Sequence, residues 1–411
     1  MDAPGNISWA ITATALVLLM TPGVAFFYGG LVKAKSVVSM MMMSFGSIGL
    51  VAVLWILFGF SMSAVESPTQ FAGNPFADFG LAGLAEGPDA NVALLGVAYG
   101  ATFAIITVAL ISGAIADRAK FGSWLIFAGI FATVGYFPIA AWVWGGGWIM
   151  NLGETLFPGG DIAVIDYAGG TAVHINAGAA ALALAIVLGK RIGFQKGILK
   201  PHNVPLTLLG AALLWFGWFG FNAGAEWLAE DMGGVGLIGI NTLGATAAAI
   251  LGWILIEKIK DGKPTSVGAA SGAVAGLVAI TPACANLTPG WALLLGAVAG
   301  VLCALAVELK FRLGFDDSLD VVGIHLVGGL LGTIYLGFFA TGQGLFVGGD
   351  WRLLVVQVIA AGGVLIYSFV VAFIIGFAIE KTIGFRVTSE DEIAGVDSVV
   401  HGEEGYALTG A

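Results

Sequence analysis

The chain has 411 residues, of which 58% are apolar and 10% are charged, and its mean hydropathy is +0.97. Soluble domains carry about 25% charged residues, so this composition excludes a soluble enzyme and a disordered protein. The 16 Lys and Arg residues against 26 Asp and Glu residues give a net charge of −10. That balance excludes the basic surface of a nucleic-acid binder.

Apolar runs long enough to cross a bilayer follow one another along the chain, separated by polar clusters. No basic residue precedes the first run, so we expect a retained helix rather than a signal peptide. The fold is therefore predicted to be all-α, a polytopic membrane protein with about eleven transmembrane helices. The predicted spans are 7–31, 37–63, 93–116, 122–143, 167–189, 203–224, 236–257, 266–284, 289–309, 322–340 and 352–383.

Basic residues occur in alternate connections between the predicted spans, and only Arg352 falls on the other side. By the positive-inside rule the basic face is cytoplasmic, which predicts an N-terminus outside and a C-terminus inside. We expect a transmembrane domain over 1–384 and a cytoplasmic tail over 385–411, whose acidic composition predicts a solvated, flexible segment. The residues on the basic face are Lys33, Lys35, Arg118, Lys120, Lys190, Arg191, Lys196, Lys200, Lys258, Lys260, Lys263, Lys310, Arg312, Lys381 and Arg386.

Two histidines lie inside apolar spans, where ionisable residues are costly and need a reason. His174 is followed four residues later by Gly178, and His325 is followed four residues later by Gly329. The two spans are predicted to run in opposite directions, which favours an inverted repeat with a site at its interface. A packing role is the alternative. Neutral imidazoles in a dry pore, however, offer both a donor and an acceptor to a small polar molecule.

Metal and enzyme chemistry find little support in the sequence. Zinc needs three or four ligands, and no Cys, Glu or third His stands at ligand spacing from either histidine, so no metal is expected. Cys284 and Cys303 are read as buried small hydrophobes. The sequence contains no Walker A loop, nucleophile elbow or HExxH motif. We therefore expect neither an enzyme nor a cofactor.

Five further residues have a structural and a functional interpretation. Asp166 is expected to cap a helix N-terminus, where its charge would also steady a cation. Trp144, beside three glycines at a membrane boundary, is either a belt tryptophan or a cation–π site. Tyr99 and Phe103 lie one helical turn apart, and such pairs, like the lone Phe221, are more often core than site.

Taken together, seven segments in this order resemble the Amt/Mep ammonium transporters over essentially the whole chain. The resemblance implies a homotrimer of eleven-helix subunits, each with its own pore and a five-plus-five inverted repeat. The segments are TPGVAFFYGGLV (21–32), WGGGW (144–148), DYAGGTAVHINAGAAAL (166–182), LLWFGWFGFNAG (213–224), GAASGAVAGLVAITPAC (268–284), DDSLDVVGIHLVGGLLG (316–332) and HGEEGY (401–406).

The resemblance also implies roles for individual residues. Members often have Ser four residues after the second gate Phe, and Ala225 stands there in this chain, so the outer site loses a hydroxyl. The roles implied are an outer ammonium site of Trp144, Tyr99, Phe103 and Ala225 organised by Asp166, a gate of Phe103 and Phe221, twin pore histidines His174 and His325, and supporting residues Asp317, Asp320, Ser271 and Thr281.

The implied function is ammonium and methylammonium transport across the cell membrane. Ammonium would be recruited at the outer aromatic site and deprotonated, ammonia would cross the apolar pore, and the proton would cross separately. A PII-type signal protein would bind the tail. The alternatives are an ammonium sensor that signals through the tail with little flux, and an Rh-type channel, which Trp144 disfavours.

Overall fold

The computed structural model of the chain describes residues 4–87, 89–195, 200–228 and 232–406. Over these ranges the regular structure is helical, apart from one isolated antiparallel bridge between Ala119 and Arg386. Lys196, which the sequence assigns to the cytoplasmic face, and residues 407–411 of the tail lie outside the described residues.

Ten of the described helices are long and apolar enough to cross a membrane, and a shorter apolar helix stands among them. This arrangement confirms the prediction of an all-α polytopic membrane protein. Short helices also cover Ala82–Glu86, Leu152–Leu156 and Ser389–Ala394. In chain order the main helices are α1 (Gly5–Leu31), α2 (Ala34–Met62), α3 (Ala90–Ile115), α4 (Phe121–Val143), α5 (Gly170–Leu188), α6 (Val204–Trp227), α7 (Met232–Lys260), α8 (Ser266–Ile280), α9 (Pro289–Leu313), α10 (Val322–Phe339) and α11 (Trp351–Thr382).

Helix α8 is shorter than predicted, since it ends at Ile280 rather than at Cys284. Its 15 residues span about 22 Å, less than the roughly 30 Å of a hydrocarbon core. The helix is buried along most of its length and is followed by turns that are also largely buried. Non-helical backbone is tolerated at membrane depth where protein surrounds it, which is why a continuous apolar run does not become a continuous helix here.

Gly296 and Gly300 of α9 are four residues apart, a small-xxx-small spacing that predicts close approach of a neighbouring helix. A Cβ at Gly300 of α9 would lie 2.8 Å from the carbonyl carbon of Ala249 on α7, so only glycine fits there. Gly296 makes the same kind of contact with Ala245 one turn away. The small-xxx-small pair therefore fixes the contact between α7 and α9.

Helices α5 and α10 meet through a reciprocal glycine contact. A Cβ at Gly178 would lie 2.5 Å from the backbone nitrogen of Leu326, and one at Gly329 would lie 3.1 Å from Cβ of His174. Each glycine follows its own histidine by four residues and contacts the histidine-bearing turn of the other helix. The two histidines are thereby brought together in the middle of the bundle.

The tail packs against the basic face, contrary to the solvated, flexible segment that its composition predicts. Both carboxylate oxygens of Asp397 accept hydrogen bonds from the start of α2, from the backbone N–H of Val38 at 3.0 Å and of Ser39 at 2.7 Å. Glu392 pairs with Arg386 at 2.7 Å and accepts a hydrogen bond from the backbone N–H of Ile192. Composition missed these contacts because the partners lie in distant connections.

A buried ion cluster lies beneath the tail and joins three connections of the basic face. Arg191 contacts Asp316 at 2.9 Å and Asp117 at 3.0 Å. Burial alone would raise the pKa of Asp316, but the hydrogen bonds and charge of Arg191 lower it below its usual value. The ionised form of Asp316 is therefore favoured beside Arg191, and the cluster holds the connections on which the tail rests.

Candidate functional site

A cavity of about 1030 Å³ opens at the face opposite the basic connections, and we call it the vestibule. It brings together four of the residues that the sequence assigns to an outer site. Ala225 lines its wall together with eight aromatic residues, which are Trp55, Phe60, Tyr99, Phe103, Tyr136, Trp144, Tyr167 and Trp227.

Trp144 stands at the end of α4 with its indole held in place on two sides. The indole Nε1 donates a hydrogen bond of 2.8 Å to the backbone carbonyl of Asp166. The ring meets that of Phe103 edge to face, with centroids 6.1 Å apart. The residue is 36% exposed, so a fixed aromatic face is open to the vestibule. A belt tryptophan would face lipid instead.

Asp166 lies behind the vestibule wall and caps α5. Its carboxylate accepts four backbone N–H bonds, from residues 169, 170, 171 and 172, and the hydroxyl of Thr171 donates a fifth. This is the helix-capping role that the sequence predicts. The backbone carbonyl of Asp166 accepts the indole N–H of Trp144, so the capping residue is joined to the vestibule wall by that hydrogen bond.

Tyr99 forms part of the vestibule floor. Its ring packs against Phe103 with centroids 4.9 Å apart. Its hydroxyl donates to two carbonyls of α6, those of Gly220 at 3.0 Å and Phe221 at 2.9 Å. These bonds tie α3 to α6 directly beside the two phenylalanines of the predicted gate.

Phe103 and Phe221 separate the vestibule from a second cavity. Their rings are stacked, with centroids 4.2 Å apart and planes 13° apart. Phe103 lines the vestibule, and Phe221 lines the cavity beyond it. The two rings that the resemblance assigns to a gate thus lie between the two cavities and are packed against each other.

The inner cavity has a volume of about 10 Å³, which is close to the minimum that holds one water molecule. Apart from the two histidines, its wall is almost entirely apolar. The residues that line it are Met20, Val24, Phe27, Tyr28, Ile106, Leu110, Val173, His174, Leu214, Trp218, Phe221, Val274 and His325.

The two histidines share a hydrogen bond inside this cavity. Nδ1 of His174 lies 3.3 Å from Nδ1 of His325, and the ring centroids are 5.3 Å apart. Both side chains are buried, and Nε2 of His174 has no hydrogen-bond partner. An unpartnered ring nitrogen at the wall of an apolar cavity is available to a small polar molecule.

Trp218 and Thr281 support the histidine pair. The indole of Trp218 stacks on His174 with centroids 5.5 Å apart, and its Nε1 donates to the hydroxyl of Thr281 at 2.8 Å. The hydroxyl of Thr281 in turn donates to the carbonyl of Leu277. Thr281 is thus brought to the site through Trp218, whereas Ser271 is buried in α8 away from both cavity walls.

Asp317 caps α10 much as Asp166 caps α5. Its Oδ2 accepts the backbone N–H of Val322 at 2.7 Å, while its Oδ1 is buried without a partner. Burial is the main reason that the pKa of Asp317 rises to about 6. Asp320 lies closer to the surface and pairs with Lys310 at 2.5 Å.

The sequence contains a further signal of this symmetry. His174 follows Asp166 by eight residues, and His325 follows Asp317 by the same eight. Both histidines also lie in π-helical turns, at Gly170–Ile175 and Val322–Leu326. Such turns often occur at functional sites. The acid, the turn and the histidine therefore recur as one unit in the two halves of the chain.

Comparison with known proteins finds relatives that are named ammonium transporters. The chain is 50% identical to an ammonium transporter of Mycobacterium tuberculosis, over 98% of this chain and 90% of that protein. It is 41% identical to the ammonium transporter Amt1 of Archaeoglobus fulgidus, over 98% and 99% of the two chains.

Solved structures of similar fold include proteins named Mep2 and Amt. The structure resembles that of Mep2 from Candida albicans, with a TM-score of 0.83 and 32% identity over 95% of this chain and 87% of that one. It also resembles a structure named Sensor Amt Protein, with a TM-score of 0.87 and 27% identity over 96% and 98%. The model of the Ammonium Transporter Family matches residues 8–406, and the chain belongs to that family.

Proposed function

We propose that the chain moves ammonium across the cell membrane by binding the ion in the vestibule, removing its proton and passing ammonia along the histidine pair. One observation carries this proposal: a stacked pair of phenyl rings lies between an aromatic vestibule and an apolar cavity that contains two hydrogen-bonded imidazoles. The first compartment suits a cation, and the second suits a neutral molecule.

Energetics favour the loss of the proton before entry. Moving a small ion from water into a medium of low dielectric constant costs about 20 kcal/mol by the idealised Born estimate. A cation–π contact such as that of Trp144 returns roughly 0.5–2 kcal/mol. Deprotonation costs about 1.36 kcal/mol for each pH unit by which the pKa of ammonium exceeds the ambient pH. Ammonia is therefore the cheaper species to move, and K⁺, which has no proton to lose, is rejected.

The histidine pair offers ammonia both kinds of hydrogen bond. An Nδ1–Nδ1 hydrogen bond between neutral rings requires one nitrogen to donate and the other to accept. The ring that donates through Nδ1 has a bare Nε2, and the other ring carries its proton on Nε2. Ammonia also donates and accepts, so the pair can hold it briefly without a net charge.

We also propose that the proton crosses separately, so that transport carries charge. The pair of imidazoles gives a proton two adjacent sites in an otherwise apolar cavity. The test is the current that an ammonium jump evokes in proteoliposomes on a solid support, with K⁺ as the control ion. A current without K⁺ permeation supports the proposal. Alkalinisation without current would show that ammonia crosses alone.

The remaining features of the family assignment are proposals on the same basis. We propose the cell membrane as the location, with the N-terminus and the vestibule outside, and a homotrimer as the assembly. Alternation of basic and non-basic connections supports the orientation. The mass of the cross-linked protein in mild detergent tests the homotrimer. The protection of an engineered cysteine in the tail tests the orientation.

An ammonium sensor is the second candidate, and the likeness to the structure named Sensor Amt Protein favours it. The tail that packs on the basic face would carry the signal, and we propose a PII-type protein as its partner. Measured flux separates the two functions, because a sensor binds ammonium without an appreciable current. Co-purification of the cognate PII protein with the full chain, but not with a chain truncated after residue 385, tests the partner.

A further inference from the structure

Residue 225 of the vestibule is Ala, whereas members of the family often have Ser, with its hydroxyl, at this position. We propose that the phenol oxygen of Tyr167, oriented by Glu226, replaces it as the hydrogen-bond acceptor for the cation. This inference rests on the proposed function, since it names the polar partner of the ion in the vestibule. It concerns two residues that the sequence did not single out as site residues.

The geometry places Tyr167 at the vestibule wall and Glu226 behind it. Tyr167 lines the cavity between Asp166 and the start of α5, and its hydroxyl donates a hydrogen bond to Oε1 of Glu226. The second carboxylate oxygen of Glu226 accepts the backbone N–H of Gly234 at 2.9 Å. Glu226 is only 6% exposed, so its charge is held behind the wall rather than hydrated at the surface.

The hydrogen bond from Tyr167 to Glu226 determines whether the phenol oxygen donates or accepts on the vestibule side. A phenol has one proton to donate, and Tyr167 gives it to Glu226, so its oxygen can only accept from the vestibule side. A bond to a carboxylate also increases the electron density on that oxygen. Ammonium has four donors and no acceptor. The pair therefore matches the ion and not neutral ammonia, which suits a site that binds before deprotonation.

The charges around the vestibule also favour the binding of a cation. Among the described residues that line it, none is Lys or Arg, and Asp89 adds an acid at the wall. Glu226 immediately follows Ala225 in the sequence, so the acidic residue is adjacent to the residue that carries no hydroxyl. The acceptor that Tyr167 and Glu226 supply compensates for the hydroxyl that Ala225 lacks.

The test is the half-saturating concentration of methylammonium and ammonium in proteoliposomes that contain the full chain. Y167F removes the hydroxyl and keeps the ring. Because the substitution removes a hydrogen bond to a charged ligand, we expect the half-saturating concentration to rise about tenfold with the maximal rate unchanged. Y335F is the matched control. It removes a tyrosine hydroxyl that donates to the carbonyl of Trp291, away from the vestibule, and we expect no change.

A rescue separates binding from folding. A225S places a hydroxyl back at residue 225, and in the Y167F background we expect it to lower the half-saturating concentration several-fold. E226Q keeps an acceptor for the phenol but removes the charge. We expect the combined effect of E226Q and Y167F to be smaller than the product of the two single effects, as for residues that act as a unit.

The outcomes are distinguishable from failure of the proposed function. If the unaltered chain gives no ammonium-dependent uptake or current, the transport proposal fails and the inference fails with it. If the unaltered chain transports but Y167F keeps its half-saturating concentration, only the inference is overturned. A Y167F defect that lowers the maximal rate alone, or that A225S leaves unchanged, also overturns it.

Discussion

Nδ1 of His174 and Nδ1 of His325 lie within hydrogen-bond distance of each other, at 3.3 Å. The bond joins two helices that come from different halves of the chain, α5 and α10. It also keeps the two rings close to parallel, with 28° between their planes. The pair therefore behaves as one polar element in an apolar cavity, and its chemistry belongs to the two rings together.

Replacing both histidines by alanine tests whether this element is needed. We expect H174A combined with H325A to abolish selective ammonia conduction, because the cavity then offers no hydrogen bond to a polar molecule. The measurement is the ammonium-evoked current in proteoliposomes, with K⁺ as the second ion. H202A is the control, since His202 bonds to the carbonyl of Val32 and to Tyr406 on the basic face. Unchanged uptake with unchanged exclusion of K⁺ would contradict the proposed mechanism.

The all-α fold and the family could be predicted from the sequence, because both depend on patterns that extend along the chain. Apolar runs of spanning length specify membrane helices whatever their partners are. Glycine spacing predicts close helix contacts, such as that of Gly300 with Ala249, for the same local reason. The structure also places Trp144, Tyr99 and Phe103 at a common vestibule.

Features that depend on side-chain direction could not be predicted. The sequence gives no sign that Tyr167 meets Glu226, because the residues are 59 positions apart and join through a single hydrogen bond. The end of α8 at Ile280 depends on the surrounding protein, which satisfies the turns that follow. Asp397 reaches α2 across the whole chain, so the composition of the tail alone predicted a free segment.

Trp144 is expected to set the affinity for the ion rather than the rate of passage. W144L removes the aromatic face from the vestibule, and we expect the half-saturating concentration of methylammonium to rise about tenfold. W148L is the control, because Trp148 packs against Trp142 with centroids 5.9 Å apart and does not line the vestibule. A fall in maximal rate with unchanged affinity in W144L would exclude a recruitment role.

Thr281 is expected to act through Trp218. T281V leaves the shape of the side chain nearly unchanged but removes the acceptor of the buried indole N–H, which costs about 1–3 kcal/mol of stability. We expect a lower midpoint of thermal unfolding in detergent and a reduced current, because the indole no longer holds the ring of His174. T333V is the matched control, since the buried hydroxyl of Thr333 has no partner. Equal midpoints for the two variants would exclude this role for Thr281.

Asp317 makes stability depend on pH in a specified direction. Its pKa is about 6 in the folded chain, above the value near 3.9 of an unfolded chain. The folded state therefore holds the proton more tightly. The stabilisation is complete below about pH 4 and is lost as the pH rises through about 6, by at most about 3 kcal/mol. Thermal unfolding of D317N between these pH values should show a flatter slope than that of the unaltered chain. An identical slope would mean that another group is responsible.

Asp397 is expected to hold the tail on the membrane domain. D397A leaves the backbone N–H groups of Val38 and Ser39 without their acceptor. Loss of such a cap costs about 1 kcal/mol, so the detached state of the tail should become about fivefold more populated. Limited proteolysis of the purified chain measures this as a faster cleavage within the tail. E390Q is the control, because it neutralises an exposed acid of the same tail. If D397A and E390Q were cleaved at the same rate, the contact with α2 would not be what keeps the tail in place.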